Sequence, residues 1–333
     1  MSTLNGKWSF KSLIQQQELV IFLLIIIMSI AINYINAGFL TPANFKPMSR
    51  GIAIEGFIVI GMTFLLISGV FDISVGSVMA FSGFVFTSLA ANDVNVYLAI
   101  VAALATGVVI GIVNGLIVTK IKVNPFITTL ATMTIVRGLV LALSQGNPIR
   151  VSRPDFIQFS ATEVFGIPAV FIFFFLIFIC ADYMLRKIRY LRQFYFIGGN
   201  ENSATLTGIN VDKTRIFLFV VIAVLTSLSG VLSSSRLEAS VPNAFVGIEL
   251  KILVACVLGG CSLNGGSGSI LGSILGLVFL FLLDNGLVML GVDIYWFNGV
   301  LGVFLVGVVL LNSYSNLIKE RKLKRVRNSL SQQ

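Results

Sequence analysis

Long runs without a charged residue, among them residues 21–27 and 171–179, recur along this 333-residue chain and dictate its fold class. These runs are apolar on every side. They therefore cannot be the strands of a membrane barrel, whose residues alternate between apolar and polar. Several approach the roughly 20 residues that an α-helix needs to cross a bilayer. Only 11% of the residues are charged, against about 25% in ordinary soluble domains. The chain is expected to be all-α, a single polytopic membrane domain with no soluble module. Ten spans fit: 18–35, 51–70, 75–91, 97–118, 125–144, 168–185, 216–235, 250–263, 269–290 and 295–312. An even number puts both termini on one face. The first apolar run has no good small-x-small cleavage site, so it is expected to stay in the protein as the first span.

The net charge of +9 is distributed by side rather than by patch. Sixteen of the 23 Lys and Arg residues fall on one face: Lys7 and Lys11, Lys120 and Lys122, the loop 186–215, and the tail from Lys319 to Arg327. That excess marks the cytoplasmic face. Lys46, Arg50, Arg150, Arg153 and Arg236 fall in loops of the opposite face. The expected organisation is a cytoplasmic N-terminus at 1–17, a membrane domain at 18–312 and a basic cytoplasmic tail at 313–333. The tail reads as an anchor near anionic membrane lipid, and nucleic acid is not an expected partner.

Several chemistries are excluded. The chain has no histidine, which removes histidine acid–base catalysis and histidine metal sites. Cys180, Cys256 and Cys261 lie in or beside apolar segments and read as packing residues. Nothing matches G-x-x-x-x-G-K-[ST], and no nucleophile–base pair or paired carboxylates are present. The chain is not expected to be an enzyme or to bind a metal or cofactor.

Two glycine-rich stretches interrupt the apolar pattern. One is Ser68-Gly69-Val70-Phe71-Asp72-Ile73-Ser74-Val75-Gly76-Ser77. The other runs from Leu258-Gly259-Gly260-Cys261 through Asn264-Gly265-Gly266-Ser267-Gly268-Ser269. Irregular backbone at membrane depth must be buried in protein or line a cavity. Paired interruptions can mark a translocation path, while tight turns that need glycine at positive φ explain them equally well. Candidate path or gate residues are Gly69, Asp72, Ser74, Gly76, Asn114, Arg137, Gly260, Gly265 and Gly266. Asp72 is placed to cap the third span through the N–H of Ser74 or Val75. Arg137 lies deep in the fifth span and needs an acceptor, with Glu55 or Asp284 as possible partners. Asn114, Asn124 and Asn285 suit either hydroxyl binding or helix–helix hydrogen bonds. Gly107, Gly111 and Gly115, and likewise Gly268, Gly272 and Gly276, form small-xxx-small rows suited to close helix packing.

The polar loop 186–215 holds a short capped helix. Asn200 is its N-cap, Glu201 sits in the first turn where the helix dipole favours an anion, and Gly208 ends it. Glu201, Ala204, Thr205 and Gly208 share one face, small enough for another protein to approach closely. A solvated connector is the plain alternative.

Taken together, three blocks resemble the permease subunits of bacterial ABC importers for ribose, related sugars and autoinducer-2. They are Gly61-Met62-Thr63 leading into the first glycine stretch, Gly198 to Val211, and Gly247-Ile248-Glu249-Leu250 through the second stretch. The chain departs modestly from the usual pattern at Val70-Phe71 and Cys261. The resemblance implies an ABC permease fold in the bacterial cytoplasmic membrane and a second permease, either a copy or a paralogue. It further implies cytoplasmic ATPase subunits that carry ATP and magnesium, and an external binding protein that delivers a small sugar-like solute. Residues 198–208 then become the coupling helix, with Asn200, Glu201, Ser203, Ala204, Thr205, Leu206 and Gly208 toward the ATPase. An ion-coupled transporter working through Glu55, Asp72 and Asp284 is the alternative.

Overall fold

The computed structural model describes residues 17–307, apart from 294, 298 and 305. The helices are α1 (Gln17–Ile35), α2 (Pro42–Ile67), α3 (Val75–Ala91), α4 (Val96–Leu116), α5 (Pro125–Ser144), α6 (Pro154–Ala161), α7 (Ala169–Lys187), α8 (Arg189–Gly199), α9 (Glu201–Leu206), α10 (Val211–Leu237), α11 (Ile248–Leu258) and α12 (Ile270–Met289). A wider π-type turn, Ile117–Ile121, extends α4, and further helical residues follow between 295 and 307. Among the described residues, seven helices are long and apolar enough to cross a membrane: α1, α2, α4 with its extension, α5, α7, α10 and α12. This is a multi-pass membrane protein. Residues 1–16, the end of the tenth expected span and the basic tail lie outside the described residues.

The helix boundaries depart from the hydropathy reading in two places. The second span starts at Pro42 rather than 51, because proline at the first helical position has its φ preset and no N–H to satisfy. The eighth expected span, 250–263, is helical only over Ile248–Leu258. Its 11 residues reach about 16 Å at 1.5 Å per residue, about half the hydrocarbon thickness. Gly247 at φ +87° precedes it and Gly260 at φ +99° follows it, so the backbone turns at both ends.

The centre of the bundle is α2, whose most apolar window is 89% buried. A helix that is hydrophobic all round belongs inside. Beside it stands α10, contacted by α2, α3 and α4. Glycine sets how closely these helices approach: a Cβ on Gly83 would lie 2.4 Å from Ser234 Oγ, and one on Gly107 would lie 2.6 Å from the Ala223 carbonyl oxygen. Gly111 and Gly115 meet α10 in the same way, at Phe219 and Ile216. In the second row, Gly272 and Gly276 pack on Gly259 and Ala255 of the α11 side. Gly268 precedes α12 and does not join them. Hydroxyls complete the contacts, as where Ser229 Oγ donates to the Ile54 carbonyl at 2.6 Å. Asn44 and Asn285 exchange hydrogen bonds between α2 and α12 at 2.8 and 2.9 Å. Asn285 thus joins helices, and Asn124 caps α5.

The connections gather at two opposite ends. One end carries a two-stranded ladder of β1 (Ile149–Arg150) with β4 (Ala239–Ser240) and a hairpin of β2 (Glu163–Val164) with β3 (Ile167–Pro168). There Arg153 donates to the carbonyls of Ala90 and Val94, and Glu163 is clamped by Lys46 at 2.8 Å and Arg50 at 3.0 Å. The other end gathers the turn after α4, the segment 186–210 and both glycine-rich stretches, with Lys120 bridging to Asp212 at 2.8 Å.

Replacing Gly107 with Val is expected to lower the melting temperature in detergent, reflecting the loss of about 1–3 kcal/mol of stability typical of overpacking. Gly138→Val, whose Cβ meets nothing within 4 Å, serves as the control; equal melting of the two would remove the close-approach role. At the ladder end, the hydrogen bond from Lys46 and the charges of Lys46 and Arg50 hold the Glu163 carboxyl below the usual glutamate range. A depressed carboxyl stabilises the fold at neutral pH and loses that contribution as pH falls through its folded value. Protection of the 162–167 amides, taken against the intrinsic exchange rate at each pH, is therefore expected to fall on acidification in the parent chain. In Glu163→Gln it should be low at every pH.

Candidate functional site

The polar segment folds as its sequence directs. Helix α8 buries Leu191, Phe194 and Ile197 and turns into α9 at Asn200. Asn200 is extended, and its Oδ1 accepts the Ser203 N–H at 2.9 Å. Glu201 in the first turn pairs with Arg215 at 2.8 Å. Gly208 stands at φ +84°, which lets the Ile209 N–H reach back to the Ala204 carbonyl at 3.1 Å. This is a glycine-terminated helix end of the Schellman type. The face expected for docking is divided, however. Ala204 is buried with Ile197 and Val211, while Glu201, Thr205 and Gly208 are exposed. A helix of six residues must anchor itself through some side chain, and Ala204 is the apolar residue that faces the bundle. Leu206, by contrast, is 89% exposed. Beside α9 a groove of about 680 Å³ opens toward the Lys122–Pro125 turn, with Asn202, Thr205 and Arg215 in its walls.

Beneath this segment the two glycine-rich stretches meet. The Gly266 N–H donates to the Ile67 carbonyl at 2.9 Å, joining the second stretch to the end of α2. Gly198, at the end of α8, is wedged against both: its Cβ would lie 1.9 Å from the Ile67 oxygen and 2.5 Å from the Gly266 nitrogen. A Cβ on Gly265 would be 2.7 Å from Gly69 Cα. Tyr195 on α8 donates to the Gly268 carbonyl at 2.9 Å, and Arg215 reaches the Ser68 carbonyl. Gly69, Gly265 and Gly266 therefore form one backbone joint with Gly198, whereas Gly260 sits beside Gln17.

From the joint, the chain leads through 70–74 to Asp72, which braces Ser74, the N-cap of α3. Its Oδ1 accepts the Ser74 N–H at 2.7 Å and the Ser74 hydroxyl at 2.5 Å. Asn114 Nδ2 donates to Asp72 Oδ2 at 3.4 Å, and Thr132 donates to Asn114 Oδ1 at 2.6 Å. Asp72, Ser74 and Asn114 are fully enclosed. Asp72 thus closes a helix end and ties α3 to α4 and α5.

The start of α3 lies beside the start of the half-length α11. A Cβ on Gly76 would fall 2.6 Å from the Phe245 carbonyl oxygen and 2.7 Å from Glu249 Oε2. Arg137 does not pair with Glu55 or Asp284. Its Nη1 donates to the carbonyls of Pro242 and Ala244 at 2.9 and 2.8 Å, supporting the irregular segment that precedes α11. Backbone oxygens that no helix can satisfy are good guanidinium acceptors. Glu55 instead pairs with Lys251 at 2.9 Å, whose ammonium also sits 3.8 Å above the Phe281 ring. A cleft of about 400 Å³ opens here, lined among others by Ser77, Thr134, Arg137, Val246 and Glu249. Sequence reasoning assigned no role to Glu249. Its available signal was an acidic residue in the first turn after Gly247, ahead of an apolar run. Among the described residues no cluster of three or more Cys, Asp or Glu forms a metal site.

Residues 48–309 match the family model described as branched-chain amino acid transport system / permease component. The chain belongs to that permease family. It is 38% identical over 298 residues to the ribose import permease protein RbsC of Bacillus subtilis, covering 89% of this chain and 92% of that one. The RbsC of Escherichia coli K12 is 34% identical over 316 residues, covering 93% and 98%. The L-arabinose transport system permease protein AraH of the same strain is 34% identical, covering 95% of each chain. No solved structure matches the permease.

Replacing Asp72 with Ala is expected to destabilise the permease by about 1–3 kcal/mol, the range for stranding buried donors and losing a cap. Asp72→Asn keeps an acceptor and should cost less. Equal loss in thermal unfolding of the two variants would make the charge, not the cap, the essential feature.

Proposed function

We propose that this chain is the membrane-spanning permease subunit of an ATP-driven importer of a small sugar in the bacterial cytoplasmic membrane. The observation that carries the reading is likeness along nearly the whole chain to permeases named for ribose and L-arabinose. A pentose is accordingly the favoured solute class, within a wider range that includes hexoses and autoinducer-2. In this reading the membrane domain has ten segments. They are the seven long helices, α3, the α11 half-helix with the segment 241–247 before it, and the helical residues after 295. Both termini and the basic end that carries α8 and α9 face the cytoplasm.

The importer comprises this permease with a second copy or a paralogue, ATPase subunits that hold ATP and magnesium, and an external binding protein that delivers the solute. No step of ATP hydrolysis falls to this chain. Helix α9 docks on the ATPase through Leu206 with Glu201, Thr205 and Gly208, and Ala204 holds it to the permease. Asn200 and Ser203 fix its first turn. Displacement of α9 passes through Gly198 to Gly69, Gly265 and Gly266, and so to the segments bearing Asp72 and α11. A bistable core biased from both faces is what alternating access requires. The pairing of Glu55 with Lys251 and the capping role of Asp72 account for two of the carboxylates that an ion-coupled carrier would have used.

Vesicles containing the permease, its ATPase and its binding protein are expected to accumulate ribose or arabinose only with internal ATP at the ATPase side. Uptake by the permease alone on a proton or sodium gradient would overturn the proposal. Separately, Leu206→Asp should release the ATPase from the detergent-purified complex while the permease melts as before. Full ATPase recovery would remove α9 as the docking element.

A further inference from the structure

The cleft beside α11 holds two charged side chains at a depth where neither can face lipid. Arg137 is 12 residues from the start of α5 and 7 from its end, about 10–18 Å of helix on either side. It is only partly buried, and Thr134, Ile135, Gly138 and Leu139 around it are exposed. A charged group on an open face within a span belongs against a water-filled path or a protein partner. Its Nη1 is engaged by the carbonyls of Pro242 and Ala244. Nε and Nη2 have no hydrogen-bond partner among the described residues. Glu249 uses Oε1 to accept the Gly247 N–H at 3.1 Å, and its Oε2 lies over Gly76, where a side chain would collide with it. The two charges do not form an ion pair within 4 Å among the described residues, although both line the same cleft of about 400 Å³. Met133, Leu141 and Val246 supply the remaining apolar wall.

We infer that this cleft is where the transported solute contacts the permease, with Arg137 donating to its hydroxyls and Glu249 Oε2 accepting from them. The inference rests on the importer reading and adds the contact residues. Separated donor and acceptor charges over an apolar wall suit a neutral polyol: its hydroxyls satisfy both signs, and its C–H face lies on the aliphatic side chains. An anion or a cation would meet one repelling group. Ser77 borders the same cleft but is fully buried, its hydroxyl donating to the Met133 carbonyl at 2.8 Å. Glu249 is the sharper determinant, because Arg137 also supports the 242–244 backbone.

The test uses the complete importer in lipid vesicles. Glu249→Gln keeps the side-chain size and an acceptor for Gly247 but withdraws the carboxylate. Sugar uptake is expected to fall about tenfold, the effect of one hydrogen bond to a charged group, chiefly as a raised KM. Wild-type uptake in this variant would overturn the assignment. A second measurement does not depend on transport: Val246→Cys, in a Cys180→Ser background, is treated with a membrane-impermeant thiol reagent. Labelling that slows when the transported sugar is added supports a solute-filled path. Absence of labelling means that lipid or the other permease covers the cleft, which overturns the inference even if Glu249→Gln lowers uptake. If the wild-type vesicles take up neither ribose nor arabinose, the pentose assignment of the importer reading fails instead, and labelling still reports whether water enters the cleft.

Discussion

Bare peptide groups are not tolerated in hydrocarbon, and this permease interrupts its helices in three places: 68–74, 241–247 and 259–269. Each interruption leaves N–H and C=O groups without helical partners, so each must be satisfied by something specific. The first is closed by the Asp72 carboxylate. The second is held by the Arg137 guanidinium, and the third by the end of α2 through the Gly266 N–H. Asp72 and Arg137, two charged residues inside this otherwise apolar protein, stand where backbone would be left unpaired.

Glycine serves the fold in two distinct ways. Along α3, α4 and α12 it sits in helices and removes the Cβ that would hold neighbours apart, so that Gly83, Gly107 and Gly276 touch backbone or hydroxyl directly. With little hydrophobic drive between helices in lipid, such contact is a principal source of cohesion. At 69, 208, 265 and 266 it accepts positive φ and lets the chain turn back. Gly198, inside α8, belongs with the first: a Cβ there would meet the Ile67 oxygen and the Gly266 nitrogen.

Local chemistry was readable before the fold was known. Asn200, Glu201 and Gly208 stand within one or two turns of one another, so capping rules place them correctly. Asp72 lies two residues from the N–H it accepts. Partnerships across the chain were not readable. Arg137 meets carbonyls 105 and 107 residues away, and Glu55 meets Lys251 at a separation of 196. Hydropathy cannot choose among the acceptors that folding brings within reach. The truncation of α11 was signalled by turn residues on both flanks, Pro242-Asn243 and Gly247 before it and Gly259-Gly260 after it, which an averaged hydropathy smooths over. The inward face of Ala204 escaped because a six-residue helix shows too few turns for periodicity to separate inside from outside.

The joint at Gly198 has a mechanical consequence. Side chains soften contacts between helices, because rotamers can shift and absorb a displacement of a few tenths of an ångström. Here peptide rests on peptide across Gly69, Gly198, Gly265 and Gly266, with no side-chain torsion between them. A push on α8 would meet both interruptions directly, with no rotamer in between to absorb it.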